Sequence, residues 1–229
     1  ATMMTYRCDS YEAIAANFKK ATKAVYDLQY NGGKGGGATG GGTASTNLPI
    51  KEPPVTDDDV DMLQNGLIIP QKKVVKVACI GDSLTQGLID GSGSYTTKQS
   101  YPEILSGLLG KGYEVKNFGI SAYGLYEKHQ YSYPSRDEYK NSLEYNPDVV
   151  LIMFGSNDAK TLYWNDIRNR YAEIYSNFVK SYTSLSAAPK IIIGIPSPVF
   201  GSSTFAADRP DSNMDEMRNI ERTVASENG

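Results

Sequence analysis

Three short polar clusters each follow an apolar or strand-like run. Gly81-Asp82-Ser83-Leu84-Thr85 follows VVKVACI at 74–80, Asn117-Phe118-Gly119-Ile120-Ser121 closes a short strand around 113–117, and Gly155-Ser156-Asn157-Asp158 follows DVVLIMF at 148–154. Acyl transfer needs a nucleophile, a base to take its proton, and donors for the oxyanion of the tetrahedral intermediate. Ser83, between a strand end and a helix start, would hold its hydroxyl in a crevice, with its own N–H strengthened by the helix dipole. Gly119 lacks a side chain, so its N–H can approach a substrate oxygen closely. Asn157 offers a side-chain amide as a further donor. Taken alone, a Gly-Asp-Ser turn reads first as punctuation, with Asp or Ser capping the next helix. Three clusters in order at successive strand ends ask for more than punctuation. Asp82 and Asp158 are expected to cap turns or hold the neighbouring loops.

The elements that would carry these clusters alternate. The runs 74–80 and 148–154, with KIIIGI at 190–195, have the continuous apolar character of strands buried on both faces. Helical segments are expected at about 101–109, 166–185 and 211–227, between and after the strands. Such alternation predicts an α/β protein with a doubly wound parallel sheet, in which ligands bind at the carboxyl ends of the strands.

Ahead of this domain the composition changes. Residues 10–29 predict one amphipathic helix: Asp9 and Glu12 form a capping box, and Ile14, Phe18, Ala21, Val25 and Leu28 share a face. One helix cannot bury its stripe alone, so it must dock on the main domain or on a partner. Eight of the 22 glycines fall within residues 32–42, which read as a flexible linker. No apolar strand precedes them and no Gly-Lys-Ser/Thr ends them, so a phosphate loop is disfavoured. Residues 43–61 continue as a Pro- and Asp-rich extended stretch. Its TDDDVD run lacks the glycine and distal glutamate of an EF-hand loop and reads as a solvated acidic turn. The expected organisation is therefore a helix segment at 1–30, a linker at 31–63 and the α/β domain at 64–229.

Bulk properties narrow the function. With 23 basic and 26 acidic side chains, the net charge of −3 argues against nucleic acid or an anionic membrane as the main partner. No stretch has the apolar length of a membrane span, and no signal-peptide pattern is expected at the N-terminus. Two cysteines, Cys8 and Cys79, are too few for a disulfide framework or a zinc cluster, and Cys79 reads as a small core hydrophobe. The single histidine, His129, lies in the charged segment YEKHQY and reads as a solvated surface residue.

In its three clusters the sequence resembles the SGNH (GDSL) hydrolase family: GDSLTQG at 81–87, NFGISAYG at 117–124 and GSND at 155–158 match its first three blocks. The resemblance covers about residues 73–229, and the stretches around 145–160 and 188–200 are similar to the branch of carbohydrate O-acetyl esterases, sialate-type ones included. It implies a three-layer α/β/α flavodoxin-like fold with a central parallel sheet. It further implies Ser83 as nucleophile, with the Ser83 N–H, the Gly119 N–H and the Asn157 amide as the oxyanion hole. The reaction implied is hydrolysis of small O-acyl esters, acetyl groups on carbohydrate above all, through an acyl-serine, with no metal or organic cofactor.

The family's fourth block, a late Asp-x-x-His supplying the acid and base, is not found in the 229 residues. Asp208, Asp211 and Asp215 precede no histidine. The expectation is a truncated or nicked, C-terminally incomplete domain that a C-terminal fragment or a second chain would complete, with a bare apolar sheet edge where a strand is missing. A catalytically inactive glycan- or protein-binding domain of the same fold is the alternative. Trp164, in TLYWND after the third cluster, is expected to line the substrate crevice. Several of the 17 tyrosines, Tyr123 and Tyr131 among them, are placed to stack on sugar rings, although packing explains most of them. The linkers and a glycan substrate point to a secreted protein.

Overall fold

A computed structural model describes residues 2–4, 11–30, 74–88, 100–128, 130–197 and 207–227. The expected linker and His129 lie outside these residues. The elements in chain order are β1 (Thr2–Met4), α1 (Tyr11–Tyr30), β2 (Val75–Gly81), α2 (Ser83–Gln86), α3 (Tyr101–Leu109), β3 (Tyr113–Asn117), a 3-10 turn (Tyr133–Ser135), α4 (Asp137–Glu144), β4 (Val149–Met153), α5 (Thr161–Ile167), α6 (Tyr171–Thr183), β5 (Lys190–Gly194) and α7 (Asp211–Glu227).

The five strands form one parallel sheet in the order β1-β5-β4-β2-β3. Successive side chains of a strand point to opposite faces, so the apolar runs feed two cores at once. Ala78, Ile80, Val150, Ile152, Phe154, Ile191 and Ile193 meet α5, α6 and α7 on one face. Val77, Cys79, Val149, Leu151, Met153 and Ile192 meet α1 and α3 on the other. The three-layer α/β/α expectation holds. Cys79 is a buried free thiol whose pKa burial pushes up, as suits a small core residue.

The amphipathic helix docks on this domain. Ile14, Ala15, Phe18 and Ala21 of α1 are buried, and the Phe18 ring lies 5.1 Å from that of Tyr101 on α3. Full burial of an Ile or Phe side chain stabilises by about 1.5–3 kcal/mol. Those two residues alone therefore give the helix a firm seat. Ahead of it, β1 pairs in parallel with β5, placing Thr2 against Ile192 and Met4 against Gly194. The edge of β5, expected to stand bare, is thus covered by the start of the chain itself.

The predicted helix over 166–185 is in fact two, α5 and α6, separated at 168–170. Residues 161–165 belong to α5, where Trp164 and Ile167 share a buried face one turn apart. Much of the tyrosine wealth is core: Tyr133 packs between Phe154 and Phe178, with centroids 4.8 and 6.0 Å away, and Tyr139 stacks on Phe178.

Candidate active site

The sheet order places the crossover between β2 and β4: the chain runs outward from β2 to β3, then returns to the other side of β2 as β4. At such a switch point the carboxyl ends open onto a crevice. All three polar clusters leave the sheet there, from the adjacent strands β3, β2 and β4.

The first cluster is a tight turn into α2. Asp82, 2% exposed, caps the helix by accepting the Leu84 N–H at 3.0 Å, and Gly87 closes it in the left-handed region at φ 109°. Ser83 is the first helical residue and is half-buried. Its hydroxyl makes no hydrogen bond among the described residues.

The second cluster is latched onto α2. Asn117 Nδ2 donates to Thr85 O at 2.8 Å, and the Ser121 N–H donates to Gln86 Oε1 at 2.6 Å. Gly119 lies against the helix backbone, where a Cβ would fall 2.4 Å from Gln86 N and 2.7 Å from the Thr85 carbonyl carbon. Close approach is therefore the reason for glycine at 119. Its N–H, expected to face a substrate oxygen, donates instead to Asn117 Oδ1 at 2.8 Å. Further along, the Ala122 and Tyr123 N–H groups are engaged by no partner among the described residues. Ala122 holds φ 70°, a conformation costly for a residue with a Cβ.

The third cluster leaves β4 through Gly155 at φ 114°, where a Cβ would strike Glu221 Oε1 at 2.4 Å and Met217 Sδ at 2.5 Å. This glycine lets the chain turn sharply over α7. Asn157 is 4% exposed; its Nδ2 donates to Tyr123 O at 2.9 Å and its Oδ1 accepts from Arg209 Nη2 at 3.0 Å. Asp158 is fully buried and accepts from the Leu125 and Tyr126 N–H groups at 2.9 and 3.0 Å, tying the second loop to the third. Asp82 and Asp158 thus act as their sequence positions suggest, capping one turn and joining two loops.

Chemically, the carboxyl ends of the strands bring together a hydroxyl and an N–H at a helix start, a loop with a strained backbone residue, and one buried amide. Those are the parts of an acyl-transfer site apart from its base, and among the described residues no histidine supplies one. No group of His, Cys, Asp and Glu among the described residues is arranged to hold a metal ion. A separate groove of about 290 Å³, lined by Leu125, Pro134, Tyr139, Arg170 and Ile174 among others, shares no residue with the three clusters.

Comparison with known proteins agrees with this geometry. Residues 79–229 match the sequence profile of the GDSL-like lipase/acylhydrolase family. The chain belongs to that family. It is 32% identical over 178 residues to an acetylxylan esterase of Xylanibacter ruminicola, an alignment taking in 70% of this chain and 36% of the relative; the chain spans about a third of that protein's length. Its fold is similar to that of a carbohydrate acetylesterase from Sinorhizobium meliloti, with a TM-score of 0.54 and 21% identity over 66% of this chain and 80% of that one. It is likewise similar to the native aryl esterase of M. smegmatis, at a TM-score of 0.52 and 21% identity over the same shares.

Within this GDSL-family chain one expectation needs correcting. Trp164 lines no crevice: it is 0% exposed, its indole N–H donates to Glu216 Oε2 at 2.9 Å, and its ring meets Tyr171 edge-on at 5.1 Å. The aromatic residues near the third cluster are instead Tyr123 and Tyr131, an edge-on pair with centroids 5.5 Å apart, Tyr131 being 41% exposed. Arg209, which the sequence reading passed over, is the other residue brought to the site. A lone arginine in ADRPD carries no signal of burial.

Burial pushes both the Asp82 and the Asp158 carboxyl up to about 6, outweighing the backbone N–H groups that each accepts from. An Asp in an unfolded chain titrates near 3.9, so between roughly pH 4 and 6 the folded state holds more protons than the unfolded one. These two groups therefore withdraw stability as the pH rises from about 4 to about 6. In urea unfolding across that range, Asp158→Asn is expected to gain on the parent as the pH rises, by roughly 3 kcal/mol at the limit. A gap that stays constant with pH would assign the burial cost elsewhere.

Proposed function

We propose that the full-length polypeptide hydrolyses small O-acyl esters, acetyl groups on carbohydrate in particular, with Ser83 as nucleophile. The observation that carries the reading is the gathering of the three clusters at the crossover between β2 and β4, with the Ser83 hydroxyl unengaged beside preset donors. A base takes the Ser83 proton as Oγ bonds to the ester carbonyl carbon. The carbonyl oxygen becomes an oxyanion facing the Ser83 N–H, the Ala122 N–H and the Asn157 amide. The intermediate collapses with loss of the sugar alcohol, protonated by the same base, and leaves acetyl-Ser83. Water then attacks the acyl carbon, releasing acetate and restoring the hydroxyl. The Gly119 N–H joins the donors only if Asn117 Oδ1 releases it.

The names of the relatives, an acetylxylan esterase and a carbohydrate acetylesterase, support an acetylated polysaccharide as substrate. The exposed face of Tyr131 supplies a surface on which a sugar ring can stack. A polymeric substrate of this kind is met outside the cell, which supports secretion. The test is acetate release from acetylated xylan and from a chromogenic acetate ester, together with covalent capture by a phosphonate ester. The expected result is turnover on both, and a phosphonyl adduct mapped to Ser83. Glycan binding without acetate release and without an adduct would favour a non-catalytic binding domain instead.

A further inference from the structure

We infer that Arg209 is a positioning residue that fixes the orientation of the Asn157 amide and strengthens it as an oxyanion donor. The inference rests on the reading of Asn157 as such a donor. Arg209 is 2% exposed, in the segment just before α7. Its Nε donates to Ser156 O at 2.6 Å, its Nη2 to Asn157 Oδ1 at 3.0 Å, and its Nη1 pairs with Asp208. One guanidinium thus grips two consecutive residues of the third cluster. The segment that carries it is fastened to the same loop, since the Thr161 N–H donates to Asp208 O at 2.8 Å and Asn213 Nδ2 donates to Ala159 O at 3.1 Å. Burial works against its charge, and the carboxylates of Asp208 and Asp82 offset part of that cost.

An asparagine amide can present either end, and an oxyanion site works with only one of them. A guanidinium has donors and no acceptor, so Oδ1 must face Arg209; a backbone carbonyl accepts only, so Nδ2 must face Tyr123. Both neighbours demand the same orientation. Nδ2 carries two hydrogens, one engaged by Tyr123 O and the other left for a substrate oxygen. In the flipped state Oδ1 would oppose the Tyr123 carbonyl, and Nδ2 would oppose a cation. The guanidinium does more than lock the rotamer. A cation on the amide oxygen draws electron density from the nitrogen through amide resonance, so the remaining N–H becomes a stronger donor in a low-dielectric site. Lysine would keep the charge but lose the planar fork that reaches Ser156 O and Asn157 Oδ1 together.

The experiment compares Arg209→Lys and Arg209→Ala in the full-length polypeptide, each with Asn157 present and with Asn157→Ala, on a chromogenic acetate ester. With Asn157 present, Arg209→Lys is expected to lower kcat about 10-fold and Arg209→Ala about 10- to 100-fold, with KM within about threefold, because only the transition state calls on the amide. In the Asn157→Ala background, Arg209→Lys is expected to change kcat less than about twofold, because its effect passes through the missing amide. Should near-UV circular dichroism show that Arg209→Ala does not fold, Arg209→Lys carries the comparison alone. Equal losses in both backgrounds, or a kcat unchanged by Arg209→Lys, would overturn the assignment while leaving the hydrolase intact. A parent without Ser83-dependent turnover overturns the hydrolase reading, and this assignment with it.

Discussion

Ser83→Ala in the full-length polypeptide is expected to lower kcat on a chromogenic acetate ester by about four to six orders of magnitude. Removing the hydroxyl deletes the atom that forms the acyl bond, and what survives is turnover by water held near the oxyanion donors. The fold should barely notice. The Ser83 hydroxyl has no hydrogen-bond partner among the described residues, the turn is capped by Asp82, and Gly87 ends α2 by donating its N–H to the Ser83 backbone carbonyl, which alanine keeps. The thermal midpoint is therefore expected within about 2 °C of the parent, since a change of under about 0.5 kcal/mol is usual where no buried partner is lost. Steady-state rates and a melting curve on the same preparation check both halves. A variant that keeps a tenth of the parent rate would remove Ser83 from the chemistry.

Asn157→Ala is expected to cost about 10²–10³ in kcat, the usual effect of losing one oxyanion donor, with KM little changed. Its structural cost is larger than that of Ser83→Ala. The alanine leaves the Tyr123 carbonyl and an Nη2 of a nearly buried Arg209 short of a partner, which destabilises by about 1–3 kcal/mol. Rates should therefore be measured well below the melting transition. Asn157→Asp gives a sharper contrast. A carboxylate still pairs with the guanidinium, but its second oxygen opposes the Tyr123 carbonyl, and it offers no N–H to the oxyanion while setting a negative charge beside it. Asn157→Asp should therefore match or exceed the kcat loss of Asn157→Ala. Full activity in either variant would take the side chain out of the transition state.

Much of this was legible in the residues. The strands at 75–81, 149–153 and 190–194 announced themselves because a parallel strand buried on both faces must be apolar without interruption. Their polar exits were visible for the same reason. What escaped depended on partners distant in sequence or on backbone state. Three residues, Thr2–Met4, carry no period, and their partner strand lies beyond residue 190. Trp164 was misplaced because Thr161, Asn165 and Asp166 mask the helical spacing that turns Trp164 and Ile167 inward. At Gly119 the residue type suggests a free donor, whereas Asn117 Oδ1 engages that N–H, a contact that no spacing announces. Ala122, with its strained backbone, has no mark in the sequence that a glycine there would have given.

The pairing of β1 with β5 also has a kinetic meaning. Strands β3, β2, β4 and β5 can find one another through ordinary helical crossovers, whereas Thr2 must find Ile192, with residues 31–74 between α1 and the rest of the sheet. Contacts between residues so far apart in sequence form slowly, which makes Thr2–Met4 the last piece of the sheet to arrive. Until it does, β5 offers an unpaired apolar edge that any neighbouring chain can occupy. Self-association is then a hazard of refolding, growing with concentration and with every second that docking of β1 and α1 is delayed.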